Sequence, residues 1–191
     1  MKDNVYSRIL IHANRAKGIA RRYFVTNGFD GALTMLGLMV AFASRENVEI
    51  TIAITACLGA AIALFMSGIS SAYLSEVAER KKELEDLEGA LLSDLSESDY
   101  GRASRYVPVL VALVNGLSPL LISLLIITPL WLTQIGISLP ISPFIAAIIL
   151  AMIIIFFLGV MLGVLGKEFW LWTGLRTLAI AGLTLLIISM V

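Results

Sequence analysis

Cysteine and histidine are almost missing from this sequence, with Cys57 and His12 the only ones in 191 residues. A lone cysteine forms no internal disulfide and, by itself, no thiolate metal site. A single histidine removes most hydrolytic mechanisms, which need a positioned base. Charge is also scarce, at 15% of residues, against about 25% in soluble domains. Neither sign is in excess: 14 basic and 14 acidic residues cancel, so no positive surplus is available for nucleic acid. What is abundant is apolar. The AVILMFWYC set makes up 59% of the chain and mean hydropathy is +0.93, which excludes an ordinary soluble domain.

Five apolar stretches, near 24–44, 50–74, 107–131, 141–165 and 169–190, are long enough to cross about 30 Å of hydrocarbon at 1.5 Å per residue. They are continuously apolar, without the alternation that a barrel strand needs. The expected fold is therefore an all-α membrane protein of five transmembrane helices. Residues 1–23 form a separate amino-terminal segment, and residues 75–106 an acidic loop within the span region 24–191. The first 22 residues hold Lys2, Arg8, Arg15, Lys17, Arg21 and Arg22 and no central apolar run, unlike a cleavable signal peptide. They read instead as a basic amphipathic helix on the membrane surface. Val5, Ile9, Ala16, Ile19 and Tyr23 fall at helical spacing, with Arg8, Arg15 and Arg22 on another face. His12 belongs to that interfacial helix.

Charge placement gives an orientation, because Lys and Arg near span ends are retained in the cytoplasm. The six basic residues before the first span, then Arg80, Lys81, Lys82, Arg102, Arg105 and Lys167, all fall on one side, against Arg45 alone on the other. The amino terminus is expected in the cytoplasm and the carboxyl terminus outside.

Polar groups within the spans are the informative ones, since an ionisable side chain in hydrocarbon costs roughly 2.5–3.5 kcal/mol even on lenient insertion scales. Arg176 sits near the cytoplasmic end of the fifth span, where its long stem can snorkel to the interface. Asp30, in Asn27-Gly28-Phe29-Asp30-Gly31, has no such reach and lies about 10 Å beyond Tyr23 by helical rise. Two readings stay open for it. One is a structural carboxylate, paired with Arg176 or capping a helix break between its flanking glycines. The other is a cation or proton site. Counted from the same surface, Met66 and Asn115 fall at a similar depth, about 10–15 Å. Glycines, serines and Pro119 beside them allow close helix approach or local unwinding. A carboxylate and a thioether, completed by the amide oxygens of Asn27 and Asn115 and by water, suit Fe²⁺ or Mn²⁺ better than a hard oxygen-seeking cation.

The second span continues as a charged helix from Ser75 to about Leu92, with nine acids between Glu76 and Asp99. Glu76, Glu79, Glu83 and Asp86 share one helical face. They form either a solvated face laced by local pairs such as Lys82 with Asp86, or a carboxylate array that captures divalent cations. Ser67 and Ser70 lie near glycine as in membrane serine hydrolases, but no span holds a histidine or lysine to act as base, so an enzyme is not expected. Gly159-Val160-Met161-Leu162-Gly163 supplies a small-xxx-small pattern for close helix contact.

Several segments together resemble the vacuolar iron transporter family of plants, fungi and prokaryotes. Asn27-Gly28-Phe29-Asp30-Gly31-Ala32-Leu33-Thr34 is similar to its Asp-Gly signature. Ala63 to Ser75, with Met66-Ser67-Gly68 and Tyr73 running into an acidic helix, is similar to its second span. Asn115-Gly116-Leu117-Ser118-Pro119 resembles its third span, and Phe157-Leu158-Gly159 with Trp172-Thr173-Gly174-Leu175-Arg176 its last two. The match covers most of residues 22–190. The resemblance implies a homodimer that exports Fe²⁺, and often Mn²⁺, from the cytosol in exchange for protons. It places the membrane carboxylate and methionine on Asp30 and Met66, and the cytoplasmic metal-capturing glutamates loosely on Glu76, Glu79 and Glu83. The loop 75–106 is shorter than the three-helix cytoplasmic domain of the plant proteins and lacks methionine, which implies transport without a separate metal store. No tightly bound cofactor is expected; the metal is cargo. The natural membrane is the plasma membrane of a prokaryote or a vacuolar-type membrane of a eukaryote. A passive divalent-cation channel or a non-transporting scaffold is the alternative.

Overall fold

A computed structural model describes the backbone of residues 3–190 and the surroundings of Gly18 and residues 21–190. Six α-helices follow one another: α1 Asp3–Ala43, α2 Ile50–Leu91, α3 Asp99–Ile126, α4 Thr128–Gln134, α5 Pro143–Gly166 and α6 Trp170–Ser189. There is no strand among the described residues. Five helices are long and apolar enough to cross a membrane, namely α2, α3, α5, α6 and the Arg21–Ala43 part of α1. The chain is an all-α integral membrane protein, as its apolar runs predict.

Two boundaries differ from the sequence reading. The amino-terminal segment is not a separate helix, because α1 runs unbroken from Asp3 through Tyr23 into the span. The apolar and basic faces expected of residues 5–19, and His12, lie outside the residues whose side chains are described. The third apolar run is split, with α3 ending at Ile126 and α4 starting at Thr128. Pro129, in the first turn of α4, lacks the N–H that would continue the ladder and fits the start of a new helix.

Local chemistry closes the other ends. Leu92 adopts the left-handed conformation (φ 50°, ψ 36°) and its N–H bonds the Glu88 carbonyl, ending the charged extension of α2 within a residue of the expected Leu92. Ser98 caps α3, its Oγ accepting from the Gly101 N–H at 3.1 Å. The charged loop is thus mostly helix, with a tight turn over 92–98.

The helix α1 is central. It packs against α3 on one side and α5 and α6 on the other, whereas α2 leans mainly on α3. The core joins Val25, Met35, Leu36 and Met39 of α1 to Ile122 and Ile126 of α3 and to Ala151 and Ile155 of α5. Gly159 and Gly163 seat α6 within the same chain: a Cβ on Gly163 would stand 2.8 Å from Thr173 Oγ1. This is the close approach that small residues allow between spans.

Candidate functional site

A hydrogen-bonded seam joins three spans at one level. Asn27 Nδ2 donates to the Tyr23 carbonyl at 2.9 Å and to Asn115 Oδ1. Asn115 Nδ2 in turn donates to the Gly68 carbonyl at 2.8 Å. One turn along α3, Ser118 Oγ donates to the Phe24 carbonyl. The backbones meet here because glycine faces them. A Cβ on Gly31 would stand 2.6 Å from the Pro119 carbonyl oxygen, and one on Gly68 would stand 3.0 Å from Gly116 Cα. Both α1 and α2 are continuous through these glycines, so they serve close approach rather than unwinding, and no helix break exists for Asp30 to cap.

Asp30 and Met66 flank the seam on its far side from the amino-terminal end. Asp30 is three residues beyond Asn27 on α1, and Met66 two residues before Gly68 on the oppositely directed α2. Helical rise puts them about 4.5 and 3 Å past the seam, hence at a common depth, as their sequence positions predict. Asp30 is exposed on the single chain, and Met66 is 53% exposed. No described residue hydrogen-bonds or ion-pairs with the Asp30 carboxylate. Arg176, the expected alternative partner, turns elsewhere: its Nη1 lies 3.7 Å from Glu168 Oε2 and its guanidinium stacks over the Trp172 ring at 5.5 Å. A helical side chain leans toward the amino terminus of its helix, which carries Arg176 back toward the α5–α6 turn and away from α1.

The acidic face of α2 divides into two kinds of carboxylate. Glu76 is buried, 7% exposed; Tyr23 of α1 donates its hydroxyl to Glu76 Oε1 at 3.4 Å, and Arg80 Nε lies 3.4 Å from Oε2. Arg80 also reaches Glu83 at 3.0 Å, and Tyr100 of α3 donates to the same Glu83 oxygen at 3.0 Å. Burial pulls the Arg80 guanidinium down, but the Glu83 and Glu76 carboxylates outweigh it and hold its pKa above the ordinary value. Burial and its bond to Glu83 push the Tyr100 hydroxyl up. An internal cation therefore occupies the space between Glu76 and Glu83, whereas Glu79 and Asp86 stay exposed. Lys81 also pairs locally with Glu85, at 3.8 Å, whereas the expected pair of Lys82 with Asp86 is not among those formed. Sequence reasoning missed Arg80 and the two tyrosines. Arg80 was visible at i+4 from Glu76 and i−3 from Glu83, but the tyrosine contacts depend on the packing of α1 and α3.

Among the described residues no three side chains of His, Cys, Asp or Glu converge on one point. The seam level instead offers one carboxylate, one thioether and the Asn27 carbonyl oxygen, whose own amide nitrogen is already engaged. Carboxylate, thioether and amide oxygen are donor types that borderline divalent cations accept.

The chain is similar to a protein of Methanocaldococcus jannaschii named "Uncharacterized protein MJ0645", at 29% identity over 161 residues, 83% of this chain and 81% of that protein. No family model matches the sequence. No solved structure matches it either.

Proposed function

We propose that this protein exports a divalent transition metal, Fe²⁺ or Mn²⁺, from the cytosol in exchange for protons, as a member of the vacuolar iron transporter family acting as a homodimer. The observation that carries this reading is Asp30: an exposed carboxylate without a partner among the described residues, inside a membrane-spanning helix, level with Met66 and the Asn27–Asn115 seam. Facing lipid, it would cost roughly 2.5–3.5 kcal/mol, so its face belongs against water or a second subunit. A further observation supports a second copy. Gly59, Ala63, Ser67 and Ser71 of α2 are all exposed at four-residue spacing, a small-residue stripe suited to helix–helix contact in lipid.

Exchange follows from one carboxylate serving two ligands. Protonated, Asp30 is neutral and a poor ligand; ionised, it attracts the metal, and bound metal in turn disfavours the proton. The two occupants alternate at a single group. Asn115 holds α1, α2 and α3 in register around it, and Met66 supplies the softer donor. The exposed Glu79 and Asp86 draw cations toward the end of the bundle where basic residues crowd, which the positive-inside rule assigns to the cytoplasm.

The test is flux in proteoliposomes, read with a metal-sensitive dye and a pH dye together across a panel of divalent ions. Coupled, opposed movement of metal and proton supports exchange. Metal flux that runs only downhill with no proton movement makes the protein a channel, and no flux for any ion makes it a scaffold.

A further inference from the structure

At the amino-terminal end of the bundle, α1 and the α5–α6 turn enclose a cleft of about 380 Å³ lined by Arg22, Leu162, Leu165, Gly166, Glu168 and Thr173. Arg22 lies five residues, about one and a half turns, before Asn27 on α1, and none of the cleft's side chains belongs to the candidate metal site. We propose that this cleft binds the headgroup of an anionic phospholipid from the surrounding leaflet.

Charge is the first argument. Glu168, the one carboxylate in the lining, is already engaged: Arg176 lies 3.7 Å away and Thr173 Oγ1 donates to Glu168 Oε2 at 3.4 Å. The Arg22 guanidinium stacks over the ring of its neighbour Tyr23 at 5.7 Å, and no described carboxylate lies within ion-pair distance of it. Lys167, held in the left-handed conformation (φ 56°) where α5 ends, adds a second cation at the turn beside Glu168. With Glu168 offset by Arg176, the Arg22 guanidinium is the charge left over in the lining. Arginine presents a planar fork that matches a phosphodiester.

Depth and shape favour a lipid over a dissolved anion. Trp170 and Trp172, 48% and 56% exposed, open α6 next to the cleft and mark the headgroup level, where amphipathic rings collect. Leu162 and Leu165 line the cleft beside the polar groups and give an apolar wall against which the upper part of an acyl chain can lie. Gly166 contributes no side chain to the wall and leaves room for the headgroup. A pocket between transmembrane helices that presents a cation at this level is the form that anionic headgroup sites take. A zwitterionic choline headgroup would bring its own cation against Arg22 and Lys167.

The test uses the purified full chain in detergent, with native mass spectrometry and thermal unfolding after addition of phosphatidylglycerol, phosphatidylcholine or inorganic phosphate. Phosphatidylglycerol is expected to bind and raise the unfolding midpoint, with little effect of the other two. Arg22→Gln should weaken phosphatidylglycerol binding by about tenfold, the loss of one charge-assisted contact, and Arg22→Lys should keep much of it. Arg102→Gln, at an exposed arginine outside the cleft, should bind as the parent does. Equal binding of both lipids, unchanged binding by Arg22→Gln, or a full midpoint shift from inorganic phosphate alone would overturn the proposal. Binding is read directly, so the result is independent of whether the protein transports metal.

Discussion

Asn115 joins three membrane spans through one amide: its Nδ2 donates to the Gly68 carbonyl at 2.8 Å while its Oδ1 accepts from Asn27. Inside a bilayer such contacts are worth about 0.6 kcal/mol on average and up to about 1.7. Asn115→Leu should therefore lower stability by about 1–2 kcal/mol and reduce flux more than that loss explains, because α1 and α2 lose their register. Unfolding in detergent beside proteoliposome flux checks both parts.

Arg80 holds two glutamates on α2 to tyrosines on α1 and α3. Removing it leaves Glu76 buried without its cation, so Arg80→Gln should destabilise the helical extension by about 1–3 kcal/mol, the cost of stranding a buried polar group. The double variant Glu76→Gln, Arg80→Gln should recover much of that loss. Hydrogen exchange over residues 76–83 would report it locally.

Tyr100 gives the same network a pH dependence. Its folded pKa lies above the ordinary value, because burial and the bond to Glu83 favour the neutral hydroxyl. A raised pKa means stability that is complete below the unfolded value, about 10, and lost as pH rises through the folded value. Unfolding midpoints measured on the alkaline side should fall with pH in the parent, and less steeply in Tyr100→Phe.

Met66 separates metals by softness. Met66→Leu preserves volume and costs little in packing, and the site is half exposed, so the fold should tolerate it. Fe²⁺ and Co²⁺ flux should fall more than Mn²⁺ flux, since a thioether favours the softer ions. Equal loss across the panel would make Met66 a packing residue.

The fold was legible because each span is a continuous apolar run, and the charged extension of α2 because its acids keep helical spacing to Leu91. Less legible were boundaries that turn on one residue, such as Pro129 dividing α4 from α3, and the continuity of α1 past Tyr23, where a basic segment hides an unbroken backbone. At the candidate site the sequence supplies Asn27, Asp30, Met66 and Asn115 at one depth, since depth is a matter of counting residues. It cannot supply partners. That Asn27 meets Asn115, that Arg176 turns to Glu168, and that Arg80 fills the gap between Glu76 and Glu83 all depend on how helices far apart in sequence pack.

The most direct measurement is made on Asp30→Asn, which keeps size and hydrogen bonding but removes charge and titration. Reconstituted in vesicles carrying metal and pH dyes, the variant should be folded, with metal flux and metal-driven proton movement both lost, while Asp30→Glu keeps part of each. Normal coupled transport by Asp30→Asn would contradict a shared metal and proton site at this carboxylate.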